Sequence, residues 1–212
     1  MRLDIFSDTV CPWCFIGKRR LDRALAQHPR PELDITWRAF QLNPDMPAEG
    51  MDRKTYLEQK FGGPDGAKQV YGHIAEAGAS EGIDFNFGRI ERTPNSLASH
   101  RLIRFAAARG LQDPLVQKLF DLYFLDGRNI GDYEVLAEAA VVAGLDRDEV
   151  LAFLQSDQLA KEIRQEDRQA REIGINGVPC FIFNGRHALP GAQSPEALNQ
   201  LMDLAQEESL KV

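Results

Sequence analysis

The sequence predicts an α/β fold in which a β-α-β unit and a later β-hairpin with its own helix complete one mixed sheet, interrupted by a large all-helical insertion. Three observations carry this reading. Strand-like alternation occurs near the N-terminus and again over residues 33–41, with a helical pattern between the two. The β-rich run VPCFIF, residues 178–183, ends in Asn184-Gly185, a strong hairpin signal. Residues 52–173 show helical spacing throughout. Residues 1–51 and 174–212 therefore read as one discontinuous α/β domain, with 52–173 as an inserted helical subdomain.

Leu3 and Ile5 alternate with Asp4 in the first strand, which ends in a turn at Ser7-Asp8. A helix is expected from about Cys11 to Gln27, with Phe15, Leu21 and Leu25 at roughly helical spacing and His28-Pro29 as its stop. The segment DITWRAF, residues 34–40, alternates with period two and is rich in β-formers. In the insertion, Leu57 and Phe61 precede a Gly62-Gly63-Pro64 break, and Val70, Ile74 and Ala77 mark the next helix. Thr93-Pro94 is expected to open another helix as N-cap and first-turn proline, with Leu97, Leu102, Ile103 and Phe105 inside it. Leu115, Leu119, Leu122 and Tyr123 mark a further helix, and residues 133–143 are alanine-rich. Asp146 and Glu149 resemble a capping box, and Leu159, Ile163, Ala170 and Ile173 run to a stop at Gly174. After the hairpin comes a short strand around His187-Ala188-Leu189. Ser194 or Pro195 then starts a last helix to about Gln206.

The 212 residues are enough to bury a full core. Hydrophobic residues make up 43% and charged residues 27%, an ordinary soluble composition. A net charge of −7 argues against nucleic acid as a partner, since such binders show a basic face. No signal peptide is visible and no apolar run approaches the roughly 20 residues that span a bilayer, so a cytoplasmic location without membrane attachment is expected. Three cysteines are too few for a disulfide scaffold, and close pairs in a reducing compartment are more often catalytic or metal-binding.

Two of the three form CPWC, residues 11–14, where the strand-to-loop segment meets a helix N-terminus. Pro12 takes the first helical position. Free amides and the helix dipole favour an anion there, so the Cys11 thiol should lose its proton easily. Cys14, one turn later on the same helix face, could resolve a mixed disulfide formed by Cys11. The competing reading is half a zinc site. It needs two further ligands from Cys180, His28, His73, His100 and His187, and there is no second CxxC or His-x₃-His. Spacing favours redox chemistry and no metal.

CPWC after an N-terminal strand, GINGVPCFIFNG near the C-terminus and the helical stretch between them together resemble the DsbA family, in particular its FrnE-like branch, over essentially the whole chain. The resemblance implies a thioredoxin-like fold and a thiol–disulfide oxidoreductase or isomerase acting on protein or small-molecule thiols and disulfides. It also implies that Pro179 is cis and lies against the cysteines, and that the backbone of Val178 pairs with bound substrate. Pro12 and Trp13 would complete that surface, because an exposed aromatic between reactive cysteines has little core value. Related glutathione-dependent isomerases and kappa-class transferases carry a serine where this chain has Cys11. CPWC departs from them, leaving glutathione as a possible co-substrate rather than a resident cofactor. A thioredoxin-fold chaperone or binding module is the reading from another class, and monomer and homodimer stay open.

Several other residues are candidates. Asp8 could relay the resolving proton or serve as a turn residue bonding its own backbone. Asn95 and His100, in TPNSLASHRL, resemble a helix that faces the thiol site in the glutathione-using relatives, although a surface or satisfied histidine is the simpler expectation. Lys18, Arg19 and Arg20 read as a solvated face. Alternation in VPCFIF puts Cys180 and Ile182 on one face and Phe181 and Phe183 on the other, so Cys180 is expected to be a small buried hydrophobe.

Overall fold

A computed structural model describes residues 1–209, so residues 210–212 of the expected C-terminal segment lie outside the described residues. The chain begins with β1 (Arg2–Ser7), α1 (Pro12–Gln27) and β2 (Asp34–Ala39). A short β3 (Met51–Asp52) leads into α2 (Arg53–Phe61) and α3 (Pro64–Ala79). A single 3₁₀ turn, Phe87–Arg89, and β4 (Arg92–Thr93) precede α4 (Leu97–Ala107) and α5 (Gln112–Phe120). A π-helical turn, Asp121–Leu125, extends α5, and α6 (Tyr133–Ala143), α7 (Arg147–Gln155) and α8 (Ala160–Glu172) follow. The chain then returns to strand in β5 (Cys180–Phe183) and β6 (His187–Pro190) before α9 (Pro195–Ser209). This is the expected α/β, thioredoxin-like fold with a helical insertion.

The main sheet has the order β2-β1-β5-β6. β1 runs parallel to β2, which requires the α1 crossover, and antiparallel to β5, which a hairpin joins to β6. Asn184 and Gly185 both take positive φ in that hairpin, where the Arg186 amide donates to the Phe183 carbonyl at 3.0 Å. Leu3 and Ile5 stand opposite Phe183 and Phe181, and this face packs under α1 and α9 through Phe15, Ile16, Leu198 and Met202. The other face carries a smaller cluster in which Phe6, Phe40 and Cys180 meet Ala170 of α8 and Ile175.

Polar groups complete that second face. Buried Asp4 accepts from Arg38 Nε at 2.7 Å and pairs with Arg2 at 2.6 Å, while Glu166 of α8 joins Arg38 at 3.2 Å and also contacts Arg104. The outer edge of β2 would otherwise offer unpaired backbone groups. Side chains from the insertion pair with them. The Trp37 amide donates to Gln112 Oε1 at 3.1 Å, and Gln112 Nε2 donates to the Trp37 carbonyl at 3.2 Å. The amides of Ala39 and Gln41 donate to Glu166 and Asp167 at 3.0 and 2.8 Å.

Two expectations need correction. Thr93 does not cap a helix: it ends β4, which pairs with β3, and α4 begins at Leu97 after Ser96. Lys18, Arg19 and Arg20 are not a solvated face. Lys18 is 3% exposed, with its ammonium on Asp22 and Asp113 at 3.0 and 3.2 Å. Arg19 lies over the Phe15 ring and Arg20 pairs with Glu81 at 2.8 Å. The reason is tertiary: the insertion folds back over the outside of α1, covering positions that helical periodicity assigns to water. Among the described residues, no helix is long and apolar enough to cross a membrane.

Replacing Gln112 with Leu keeps most of its volume but strands the amide and carbonyl of Trp37 at a buried edge. The expected loss is about 1–3 kcal/mol, read as a lower urea midpoint with an unchanged slope. An unchanged midpoint would show that the edge is satisfied without this side chain.

Candidate active site

The site forms where β1 hands the chain to α1. Cys11 is the N-cap of α1, with φ −97° and ψ 113°, and Pro12 needs no acceptor at the first helical position. The Cys11 amide donates to the Asp8 carbonyl at 3.0 Å, and the amides of Cys14 and Phe15 donate to the Cys11 carbonyl at 3.1 and 3.4 Å. The positive end of a 16-residue helix thus falls at Cys11, with no acidic residue in the first turn to oppose an anion there.

The Val178–Pro179 loop sits across this helix end. Its peptide bond is cis, and the Cys11 thiol is 3.5 Å from the Val178 carbonyl oxygen, to which it donates. Gly17 permits the approach, since a Cβ there would stand 2.8 Å from Pro179 Cγ and 3.4 Å from the Phe181 ring. Sequence reasoning missed Gly17. A glycine one turn past CPWC, inside a helix whose interior it weakens, was the available signal.

Cys11 and Cys14 are free thiols within hydrogen-bond reach of one another. Cys14 is 1% exposed. Burial pushes its thiol well above the ordinary range, and the neighbouring Cys11 adds to the shift, while the Ser7 hydroxyl and the Asp8 amide act the other way. Cys180 is buried on the far face of β5, and burial raises its thiol as well. Trp13 is the exposed member of CPWC, at 38%.

Beneath the dithiol lies a buried polar group. Asp8 is fully buried: its Oδ2 accepts from the Leu42 amide at 2.7 Å and its Oδ1 accepts from the Val10 amide at 3.4 Å. The turn role is therefore present. His100 is not on the surface either; it is 3% exposed and brings Nε2 to 3.3 Å from Asp8 Oδ1. That approach is close but poorly aligned, so Nε2 has no true hydrogen-bond partner. Thr9 meets Ser99 at 2.7 Å, a tie between this loop and α4. Asn95 has another task. Its amide donates to the Met46 carbonyl at 2.6 Å and its Oδ1 accepts from the Leu97 amide at 2.9 Å, so it joins the α4 start to the loop after β2. Among the described residues, no group of three or more His, Cys, Asp or Glu could hold a metal ion.

Comparison with known proteins agrees with this fold. The family model of the DSBA-like thioredoxin domain matches residues 2–203. A crystal structure of a probable DsbA oxidoreductase from Streptomyces coelicolor is 33% identical and superimposes with a TM-score of 0.88, covering 98% of this chain and 91% of that one. The cytosolic disulfide reductase DsbM from Pseudomonas aeruginosa, solved with GSH, shares the fold at 19% identity and a TM-score of 0.61, with 100% of each chain covered. The uncharacterized protein YwbO of Bacillus subtilis is 25% identical over 203 residues, covering 94% of each chain.

Two outcomes follow from the site. Gly17→Ala forces a methyl group against the Pro179 ring and should cost about 1–3 kcal/mol by urea unfolding; a neutral result would mean that the loop moves aside freely. The raised thiols set a pH dependence for the reduced protein. An unfolded chain releases thiol protons near pH 8.5, whereas the fold holds those of Cys14 and Cys180 to higher pH. Their contribution is therefore complete below about pH 8.5 and is lost as pH rises through the folded values. Stability of reduced wild type should fall more steeply above that pH than stability of Cys14→Ala, and parallel curves would contradict the assignment.

Proposed function

The chain belongs to the DSBA-like thioredoxin domain family, and on that premise we propose that Cys11 and Cys14 are the redox pair with which this thiol–disulfide oxidoreductase works. The observation that carries the proposal is the pairing itself. Two free thiols in mutual contact share one helix N-terminus, and the outer one lies against the Val178 carbonyl. The Cys11 thiolate attacks one sulfur of a substrate disulfide, forming a Cys11–substrate mixed disulfide and releasing the other substrate sulfur as thiolate. Cys14 then loses its proton and attacks Cys11 Sγ. The second substrate thiolate leaves, and a Cys11–Cys14 disulfide remains. The substrate gains two electrons and the dithiol loses two; the same steps in reverse oxidise a substrate dithiol.

Burial keeps Cys14 protonated until that second step, so its proton needs an acceptor. What supports Asp8 in that role is its backbone against Cys14 and its buried carboxylate facing Nε2 of His100. We assign proton acceptance to Asp8 and His100 as a pair. Pro12, Trp13, Val178 and Pro179 form the surface that the substrate meets. Asn95 supports the architecture from a distance. Glutathione is a co-substrate on this reading, a view supported by the GSH-bound disulfide reductase of the same fold. We further place the chain in the FrnE-like branch and in the cytoplasm, where its low cysteine content suits a reducing milieu.

Insulin reduction by dithiothreitol, followed as turbidity, tests the pair. Wild type should accelerate it, Cys11→Ser should be inactive, and Cys14→Ser should accumulate a mixed disulfide visible by mass spectrometry. Cys180→Ala should retain activity within about threefold, since its sulfur points away from the dithiol face. Full activity in Cys11→Ser would refute the assignment.

A further inference from the structure

Between α2, α3 and the 3₁₀ turn lies an open pocket of about 690 Å³, within the size range of small-molecule sites; its Tyr71 is near enough to Cys11 to feel the charge of its thiolate. Leu57, Ala67, Tyr71, Phe87 and Ile90 supply its apolar lining. The aromatic wall is braced by neighbours: Tyr71 meets Phe87 at 4.6 Å between ring centres, Phe87 stacks on Phe85 at 4.7 Å, and Phe85 meets Phe15 of α1 at 5.9 Å. This wall is therefore preformed.

Arg53 is the unusual member of the lining. Its side chain belongs to a residue only 8% exposed, yet among the described residues no carboxylate lies within 4.0 Å of its guanidinium. Other buried cations in the chain are compensated. Lys18 has Asp22 and Asp113, and the Arg101 guanidinium donates to four backbone carbonyls at and beyond the end of α7. Arg53 has two neutral oxygens, Thr93 Oγ1 at 3.0 Å and the Tyr71 hydroxyl at 2.7 Å, and it lies over the rings of Tyr56 and Tyr71 at 5.6 and 5.1 Å. The phenols do not neutralise it, because burial raises both Tyr71 and Tyr123 and keeps them protonated. Two of five N–H donors are engaged, and a guanidinium with free donors matches a carboxylate in bidentate fashion. An uncompensated buried charge is costly, which makes an anionic ligand the natural complement.

We propose that this cavity is a binding site for a small organic monocarboxylate, its carboxylate seated on Arg53 and its apolar or aromatic body against Leu57, Tyr71, Phe87 and Ile90. The rim explains why one negative charge suffices. Lys54 and Lys68 are offset there by Asp52, Glu58 and Glu91, so a second anionic group finds no net attraction.

The test uses full-length protein and ligands without sulfur, so it stands or falls independently of disulfide exchange. Calorimetric titration with 3-phenylpropionate should show binding, whereas 3-phenylpropanol, the neutral analogue with the same body, should bind at least tenfold more weakly. Arg53→Gln should remove that preference and Arg53→Lys should keep part of it. Leu57→Trp, which fills the cavity and leaves Arg53 in place, should abolish binding of the acid. Equal affinity for acid and alcohol, no binding of either, an unaltered preference in Arg53→Gln, or full affinity in Leu57→Trp would each overturn the proposal.

Discussion

The first turn of α1 is held between two bodies, and the site depends on that constraint. On one side the Val178–Pro179 loop approaches so closely that only glycine fits at position 17. On the other, Phe15 is fully buried in the ring cluster of the insertion, stacked on Phe120 at 5.2 Å and set edge-on to Phe85. Cys11 and Cys14 lie four and one residues before Phe15 on the same helix, so the packing that buries the ring fixes the height and rotation of both thiols. A dithiol on a freely pivoting helix would lose the alignment with the Val178 carbonyl.

The insertion also does work that the sheet cannot do for itself. A four-stranded sheet with β2 at its edge leaves backbone donors and acceptors open, and Gln112, Glu166 and Asp167 close them. The loop before the dithiol is tied to α4 by the hydrogen bond of Thr9 to Ser99, beside which Asp8 and His100 stand 3.3 Å apart. One hydrophobic cluster runs through both parts of the chain, from Leu3 and Phe183 to Leu136 and Leu154. The inserted helices are thus part of the site's support and also provide a cavity of their own around Arg53.

Buried polar groups divide into two kinds. Asp4, Lys18 and Arg101 are matched by opposite charge or by carbonyls, and they serve the fold. His100 and Arg53 are not fully matched. One lies next to the acid beneath the dithiol and the other lines the pocket between α2 and α3.

Much of this was legible in the order of residues. Alternation in RLDIFS and DITWRA, Asn184-Gly185 after VPCFIF, and Pro12 after Cys11 are local signals, because strand faces, turn φ angles and helix starts are decided within a few residues. Cys180 could be placed on its face for the same reason. The boundary at Thr93 misled, since a proline after threonine reads equally as a helix start or the end of a short strand, and only the partner β3 decides. Lys18 looked solvated because helical periodicity knows the axis of α1 but not what lies across it. The burial of Asp8 and His100, the contact of Gly17 with Pro179 and the isolation of Arg53 each join residues far apart in the chain. Such relations depend on how elements pack in three dimensions, and packing is a property of the whole fold, which no local pattern encodes.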